Sequence, residues 1–269
     1  MKPIIYDCNI SEMSDENLKT MFKQVMTNLV VVFKNQKLSV EEELRICQVA
    51  GNIMPTYGRF QEISAANGIM RVTGKKDKKG NEGLFGHKET LDWHANQPSN
   101  IDRKPVIWIY ALNGSVGSRT SWLDMVSAYN DLPEDIKEQI EDIRMHCGYE
   151  AGRYSTSPYF HEHINKENKV KLVYTNPEGL KGLMFPYYQV FEFDGKRESE
   201  FKYLTKLLWD HCVNEKYMYH HDWNNGDIVL SDQWLTLHKR WAFEDMENRL
   251  LHRIAFDYDN IYTSQTAVA

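Results

Sequence analysis

Four short apolar runs recur along the chain and constrain its fold more than any other feature of the sequence. They cover residues 29–33, 105–112, 227–232 and 250–256, and they are rich in β-branched and aromatic side chains. Runs of this length and composition are typical of buried β-strands. Long loops and few long helices separate them. The sequence therefore predicts an antiparallel sandwich or barrel with flanking helices, in the α+β or mainly β class.

Four other segments have the apolar spacing of amphipathic helices. The first follows Ser14, a residue type that favours the N-cap position. The second begins at the capping box that Ser39 and Glu42 can form. Helical spacing over residues 131–147 and 198–213 predicts two further helices. We expect all four to pack against the predicted strands.

The composition argues against several classes of protein. The 269 residues include 38 acidic and 32 basic side chains, a formal net charge of −6, which disfavours general binding to nucleic acid or anionic membranes. No apolar run approaches the roughly 18 residues that span a bilayer, and no secretory pattern is visible at the N-terminus. The four cysteines are scattered, which indicates free thiols in a reducing compartment. We therefore expect a cytoplasmic protein.

Two histidines far apart in the sequence are candidates for one metal site. His94 and Asn96 are two residues apart, so on an extended strand their side chains lie on one face and can occupy adjacent positions around an ion. His238, just after a predicted strand, is the candidate partner. Residue types alone leave open that the two histidines are unrelated.

The last predicted strand carries two arginines on one face. Arg249, Leu251 and Arg253 share that face because side chains alternate along a strand. A buried arginine is costly unless it meets an anion, and its planar fork matches a carboxylate. That carboxylate belongs either to an acidic residue of the chain or to a bound ligand.

These candidates belong to four motifs that follow one another along the chain. In order, the motifs are Trp93-His94-Ala95-Asn96; Gly117-Ser118-Arg119-Thr120 with the later Ala128-Tyr129-Asn130-Asp131-Leu132; Gly226-Asp227-Ile228-Val229-Leu230-Ser231-Asp232 with His238; and Arg249 with Arg253. This order, together with the spacing from His238 to the arginines, resembles the Fe(II)- and 2-oxoglutarate-dependent dioxygenases of the taurine dioxygenase family. The resemblance extends over nearly the whole chain.

The resemblance implies a fold and a set of site residues. The fold would be a distorted double-stranded β-helix, a cupin-like jelly roll with flanking helices, and residues 1–269 would form a single domain. His94 and His238 would bind iron, with Asn96 at the position of the family's third ligand. Arg249 and Thr120 would hold the distal carboxylate of 2-oxoglutarate, and Arg253 would assist them or hold an acidic substrate.

The resemblance also implies a reaction. The 2-oxo acid would chelate Fe(II), and reaction with O2 would release succinate and CO2 while a C–H bond of the substrate is oxidised. The implied substrate is a small molecule. No feature of the sequence indicates a nucleic acid or membrane partner. A homo-oligomer is compatible with the resemblance.

The chain departs from the family pattern at Asn96, where the family has an iron-ligating carboxylate. Four interpretations are open: the Asn96 amide oxygen binds iron, water takes the position, a halide takes it as in related halogenases, or the site is inactive and only binds a ligand. Asp92 could restore a carboxylate if the strand is regular, because it is also two residues from His94. Asp124 and Asp232 lie outside the family's ligand positions.

The remaining candidates are residues that could contact the substrate and histidines that could serve other roles. Possible substrate contacts are Tyr154, Tyr159, Tyr187, Tyr188, His87 and Thr90. We interpret residues 148–170 as a long functional loop, in which His161 and His163 read as solvated side chains and contact with a substrate is the alternative. Residues 75–79 read as a solvated loop tip, and residues 220–222 as an exposed hairpin end. His252, which faces away from the arginines, is expected to pack structurally.

Overall fold

The computed structural model describes residues 1–57, 59–76, 80, 85–98, 104–115, 117–148 and 169–262. Sixteen strands lie in this part of the chain. They are β1 (Ile4–Tyr6), β2 (Val30–Phe33), β3 (Ser64–Ala66), β4 (Ile69–Val72), β5 (Leu91–His94), β6 (Val106–Asn113), β7 (Arg119–Asp124), β8 (Arg144–Cys147), β9 (Lys169–Lys171), β10 (Val173–Thr175), β11 (Lys181–Leu183), β12 (Val190–Phe193), β13 (Met218–Asp222), β14 (Ile228–Asp232), β15 (Thr236–Arg240) and β16 (Leu250–Phe256).

Six α-helices in the same described ranges connect or cover these strands. They are α1 (Asp15–Asn28), α2 (Val40–Ala50), α3 (Arg59–Glu62), α4 (Met125–Asn130), α5 (Glu134–Ile140) and α6 (Glu198–Cys212). Short 3-10 turns occur at Ile10–Glu12, Tyr187–Gln189 and Glu215–Tyr217. Ser14 caps α1, and the predicted capping box of Ser39 and Glu42 is formed at the start of α2. None of the helices in the described ranges is long and apolar enough to cross a membrane.

Two sheets face each other and form the centre of the molecule. The seven-stranded sheet has the order β1-β2-β14-β6-β16-β4-β3, and the four-stranded sheet has the order β13-β7-β15-β5. All pairings are antiparallel except that of β1 with β2. Neighbouring strands come from distant parts of the chain, as expected of a jelly roll. The smaller sheets are β12-β8-β9 and β10-β11.

Side-chain alternation divides the interior into three apolar clusters. Between the two large sheets, Trp122 of the four-stranded sheet packs with Val32 and Val229 of the seven-stranded sheet. The opposite face of the seven-stranded sheet packs against α1 and α2, with Phe22 and Phe256 in edge-to-face contact. A third cluster covers the outer face of the four-stranded sheet with α6 and β8. Both large sheets are therefore covered on their apolar faces, and the space between them is where inward polar residues can meet.

The strands and most helices agree with the sequence predictions. The four apolar runs form β2, β6, β14 and β16, and the predicted helix at 198–213 is α6. The helix predicted over residues 131–147 is observed only over Glu134–Ile140, and its predicted C-terminal part is wrong. Helix α5 ends at Ile140, and residues 144–147 form β8, which pairs with β9 and β12.

The prediction for residues 220–222 is also corrected. These residues lie in β13 and pair with β7 along its length, rather than forming an exposed hairpin end. His221 is buried at 3% exposure, while Asp222 forms a surface ion pair with Arg119. His252 packs structurally as expected, with its Nδ1 2.7 Å from Oε1 of buried Glu43. All four cysteines are free thiols.

Candidate active site

Strands β5 and β15 bring His94 and His238 side by side. The two residues are register partners in the antiparallel pair, and their ring centroids are 4.1 Å apart. His238 is also the register partner of Trp122, whose side chain packs between the two large sheets. The two imidazoles therefore lie on the inner face of the four-stranded sheet. At this separation they can contribute two nitrogen ligands to a single metal ion.

His94 is held in the state that binds metals. Its Nδ1 lies 2.6 Å from the backbone carbonyl oxygen of Asp92, which can only accept, so Nδ1 carries the hydrogen. The other ring nitrogen, Nε2, then carries the lone pair. Burial lowers the pKa of His94 to about 4, with smaller contributions from the charges of Arg253 and Arg240. A neutral imidazole with a fixed tautomer is the usual form of a metal-binding histidine.

Asn96 lies just past the end of β5, in an irregular segment rather than on the strand itself. Ala95, between His94 and Asn96, packs with Trp93 in the cluster on the outer face of the four-stranded sheet, and the backbone turns at Gln97, whose φ is 51°. Buried glutamines fix the segment. Ala95 exchanges two hydrogen bonds with the side chain of Gln189, at 2.9 and 3.0 Å.

The backbone N–H of Asn96 donates to Oε1 of Gln233 at 3.1 Å. Asn96 is 5% exposed, and its side-chain Nδ2 is buried with no acceptor among the described residues. The backbone of this segment is therefore held by two residues that are distant in sequence. They are Gln189, in a 3-10 turn, and Gln233, just after β14. Sequence reasoning missed both glutamines, because no local pattern marks them.

Among the residues that the structure describes, no carboxylate takes the place of the Asn96 amide. A bulge interrupts the pairing of β15 with β5, and the Asp92 carboxylate contacts Nζ of Lys239 at 3.1 Å, on the outer side of β15. Asp124 caps α4, and Asp232 accepts hydrogen bonds from the backbone of the turn before β15. Within the described ranges, His, Cys, Asp and Glu do not form a metal-binding group of three. The described residues that could bind a divalent metal ion here are the two imidazoles and the neutral amide of Asn96, which would be a weaker donor set than one with a carboxylate.

Arg249 is a buried cation whose guanidinium has unsatisfied hydrogen-bonding capacity. The residue is 2% exposed, and its Nε and Nη1 have no acceptor in the part of the chain that the structure describes. Its Cζ lies 5.1 Å from the ring centroid of Phe243. Burial, together with the nearby charge of Arg240, lowers the pKa of Arg249 to about 9. A buried guanidinium of this kind is a ready site for a carboxylate ligand.

Arg253 and Arg240 add positive charge to the same region. Arg253 lies on the inner face of β16, two residues after Leu251, and its charge acts on His94. Arg240, which sequence analysis did not single out, donates to the carbonyl oxygens of Phe85 and Glu89 at 2.6 and 2.5 Å. Its position two residues after His238 was the available signal, since alternation places both on one face. Arg240 thereby attaches the segment before β5 to the four-stranded sheet.

Thr120 lies on β7 as the register partner of Arg240, and it is buried at 3% exposure. Its Oγ1 accepts a hydrogen bond from Nε1 of Trp223 at 2.9 Å. The structure therefore brings Thr120, His238 and His94 to the inner face of one sheet, opposite the inner face of β16 that carries Arg253.

The remaining sequence candidates are scattered. Tyr188 lies beside Asp92, whose charge adds to the effect of burial in raising the pKa of the Tyr188 phenol. Tyr187 instead stacks on Trp209 of α6. His87 is exposed and contacts Arg240, and exposed Thr90 accepts from the backbone of Ala242. Tyr154, Tyr159, His161, His163 and most of the loops at 75–79 and 148–170 lie outside the described residues.

Comparison with known proteins assigns the chain to a family. A family model described as "Taurine catabolism dioxygenase TauD, TfdA family" matches residues 5–255. The chain belongs to this family. Its members are Fe(II)- and 2-oxoglutarate-dependent oxidoreductases that use O2. The resemblance seen in the sequence motifs is thus confirmed at the level of the family, its enzyme class and its cofactors.

Curated relatives match most of the chain at low identity. A pentalenolactone F synthase from Streptomyces avermitilis is 24% identical, over 91% of this chain and 87% of the relative. An alpha-ketoglutarate-dependent 2,4-dichlorophenoxyacetate dioxygenase from Burkholderia sp. (strain RASC) is 22% identical, over 90% of this chain and 86% of the relative.

Solved structures confirm the fold. A crystal structure of AAD-2 in complex with Mn(II) and N-oxalylglycine superposes with a TM-score of 0.77 at 18% identity, covering 94% of each chain. A crystal structure of a putative alpha-ketoglutarate-dependent taurine dioxygenase from Burkholderia xenovorans has a TM-score of 0.77 at 16% identity, covering 94% of this chain and 86% of that one. The expected sheet-rich jelly-roll fold with flanking helices is therefore confirmed.

Proposed function

We propose that this protein oxidises a C–H bond of a small-molecule substrate, using Fe(II), 2-oxoglutarate and O2 and releasing succinate and CO2. The observation that carries the proposal is Arg249, a buried guanidinium whose Nε and Nη1 have no acceptor among the described residues, together with the two neighbouring imidazoles of His94 and His238. A dianionic 2-oxo acid matches both features, because one end is a carboxylate and the other can chelate a metal.

In this proposal His94 and His238 bind iron through ring nitrogens, and Asn96 binds through its amide oxygen. The support for the role of His94 is its neutral state and its Nδ1 hydrogen bond to Asp92. The support for Asn96 is its burial and the attachment of its segment to Gln189 and Gln233. When bound, the iron supplies the activation of O2. The chain contributes ligand geometry and an interior from which bulk water is largely excluded.

Arg249, Thr120 and Arg253 hold 2-oxoglutarate in this proposal. Arg249 donates to the distal carboxylate through the N–H groups that have no acceptor within the described chain. Thr120 donates its hydroxyl hydrogen to the same group. Arg253, on the inner face of β16, adds positive charge near the iron ligands. All of these groups are donors, which suits an acceptor-only ligand.

We further propose that residues 1–269 act as one domain in the cytoplasm. The family match extends over residues 5–255, and the four cysteines are free thiols. Free thiols suit a reducing compartment. The substrate is a small molecule in this proposal, and neither a nucleic acid nor a membrane is a partner.

The role of Asn96 can be tested with Mn(II) as an air-stable substitute for iron. Mn(II) affinity is measured by electron paramagnetic resonance for the wild type, Asn96→Asp and Asn96→Ala. If the amide oxygen is a ligand, Asn96→Asp tightens binding and Asn96→Ala weakens it roughly tenfold, about 1.4 kcal/mol. His238→Ala, which removes an imidazole, is the matched control and should weaken Mn(II) binding more than Asn96→Ala does.

The other interpretations of Asn96 give different results in the same experiment. Wild-type affinity in Asn96→Ala means that water occupies the third position. An affinity that rises with chloride concentration in the wild type means that a halide occupies it. No Mn(II) binding by the wild type means that the site is inactive and that the proposed function is wrong.

A further inference from the structure

Trp223 is a buried residue that contacts Thr120, one of the proposed 2-oxoglutarate ligands. It directly follows β13 and is 5% exposed. It continues the alternation that places Tyr219 and His221 on the inner side of that strand, and it packs with Trp122 between the two large sheets. Its Nε1 donates to Thr120 Oγ1 at 2.9 Å, and this bond is fully buried.

The direction of this hydrogen bond determines what Thr120 can do. An indole N–H is only a donor, so the Thr120 oxygen must be the acceptor. A hydroxyl group has a single hydrogen, and that hydrogen cannot point back along the bond from Trp223. The Thr120 hydroxyl therefore directs its own hydrogen elsewhere and acts as a donor to a second group. Without Trp223, the hydroxyl could rotate and present a lone pair instead.

We propose that Trp223 is a positioning residue, which orients the Thr120 hydroxyl as a hydrogen-bond donor to the distal carboxylate of 2-oxoglutarate. The inference rests on the proposed function of Thr120 and Arg249 and extends it to a residue that does not touch the ligand. With Arg249, the oriented hydroxyl makes this end of the site consist of donors alone. Such a site selects an ionised carboxylate over a group that must itself donate, such as a primary amide.

Trp223 is itself held rigidly. The His221 ring meets the indole in an edge-to-face contact at 4.6 Å. His221 is fixed in turn at both nitrogens, by the Tyr219 hydroxyl at 2.8 Å and by the Asp227 carboxylate at 3.1 Å. The indole plane, and with it the direction of Nε1, is thus determined by a chain of buried contacts that does not include any proposed ligand contact.

The backbone at Trp223 is equally constrained. Its N–H donates to the carbonyl oxygen of Ser118 at 3.1 Å. Gly114 packs so closely that a Cβ there would lie 2.5 Å from the Trp223 carbonyl oxygen and 3.0 Å from its Cβ. Only glycine fits this approach without displacing Trp223. Position and orientation of the indole are therefore both specified.

The test is the affinity for 2-oxoglutarate in the presence of saturating Mn(II), measured by isothermal titration calorimetry. Trp223→Phe removes the N–H and keeps an aromatic ring. We expect it to weaken 2-oxoglutarate binding about three- to tenfold, the usual effect of one hydrogen bond, and to leave Mn(II) affinity unchanged. Trp108→Phe is the matched control, because Trp108 is equally buried on the other face of the seven-stranded sheet and its Nε1 has no acceptor within the described ranges. This control should bind 2-oxoglutarate like the wild type.

A double-mutant cycle separates orientation from packing. If Trp223 acts through the hydroxyl, Trp223→Phe has no further effect on 2-oxoglutarate affinity in a Thr120→Val background. The same several-fold loss in both backgrounds would overturn the proposal, since it would mean that the indole acts through packing alone. Unchanged affinity in Trp223→Phe would also overturn it, while leaving the proposed function intact. A wild type that binds no 2-oxoglutarate would overturn both.

A second measurement does not require the Trp223 variant to fold. In the nuclear magnetic resonance spectrum, the indole N–H signal of Trp223 should move in Thr120→Val and should also move when 2-oxoglutarate binds to the wild type. If no indole N–H signal responds to either change, the proposal is wrong.

Discussion

Arg249 shows how a single residue can be unfavourable for folding and required for function. Burying a guanidinium without an anionic partner costs free energy, and here the partner is expected to be a ligand rather than a residue of the chain. Arg249→Met should therefore stabilise the ligand-free protein by about 1–3 kcal/mol while abolishing 2-oxoglutarate binding. Urea unfolding at neutral pH, with no metal or 2-oxo acid present, measures the first effect.

The control for this prediction is Arg119→Met. Arg119 is surface-exposed and forms hydrogen bonds with Asp222 at 2.7 and 2.9 Å, so its removal should cost at most about 1 kcal/mol. A loss of stability in Arg249→Met would contradict the account, because it would mean that the guanidinium is already paired within the chain.

The sequence predicted the candidate ligand-binding residues better than it predicted the residues that hold them in position. His94, Thr120, His238 and the arginines belong to motifs whose order and spacing are visible along the chain. Gln189, Trp223 and Arg240 act through contacts with residues about 90 to 155 positions away. Such contacts leave no local pattern, so only the structure identifies them.

At the scale of elements, strand pairing overrode helical periodicity between α5 and β8. Ile136, Ile140 and Ile143 have helical spacing, and the prediction extended the helix through Cys147 on that basis. In the structure, residues 144–147 pair with β9 and β12. The β2, β6, β14 and β16 strands were predictable because their β-branched and aromatic runs are strong local signals. The partners of β8 lie far along the chain and have short, weak patterns.

A buried ion network joins β13, β14 and the end of β2, and it makes stability depend on pH. Burial alone would raise the pKa of Asp227, but hydrogen bonds from His221 and Lys34 outweigh burial and lower it. The carboxylate therefore contributes stability above its ordinary pKa of 3.8, and this contribution is lost as pH falls through the lower folded value. Asp227→Asn should lower the free energy of unfolding by about 2 kcal/mol at pH 7.

The pH dependence of the stability difference tests whether the Asp227 interactions are ionic. The stability difference between the wild type and Asp227→Asn should narrow as pH falls from 5 to below 3.8, because the carboxylate becomes protonated first in the unfolded chain and, below its lowered pKa, in the folded protein. Asp222→Asn is the matched control, since Asp222 also has a lowered pKa from Arg119 but is solvent-exposed. Its effect should be small at every pH. A constant difference for Asp227→Asn across this range would show that the network is not ionic.

At the scale of the whole molecule, the two facing sheets explain why the site is assembled from both ends of the chain. Strands β5 and β7 come from the first half of the sequence, whereas β15 and β16 come from the last part. Antiparallel pairing across this distance places the candidate iron ligands on one sheet and Arg253 on the facing one. The net charge of the chain is −6, but the interior between the sheets gathers three buried arginines. The molecule is therefore acidic overall and cationic where a 2-oxo acid would bind.

An anaerobic titration of the Fe(II)-loaded protein with 2-oxoglutarate tests this arrangement most directly. Chelation of iron by the 2-oxo acid produces a visible metal-to-ligand charge-transfer absorption. The account predicts that this absorption saturates at one equivalent of 2-oxoglutarate in the wild type and does not appear at the same concentration in Arg249→Met. Absence of the absorption in wild-type protein that has bound Fe(II), or an unchanged titration in Arg249→Met, would contradict it.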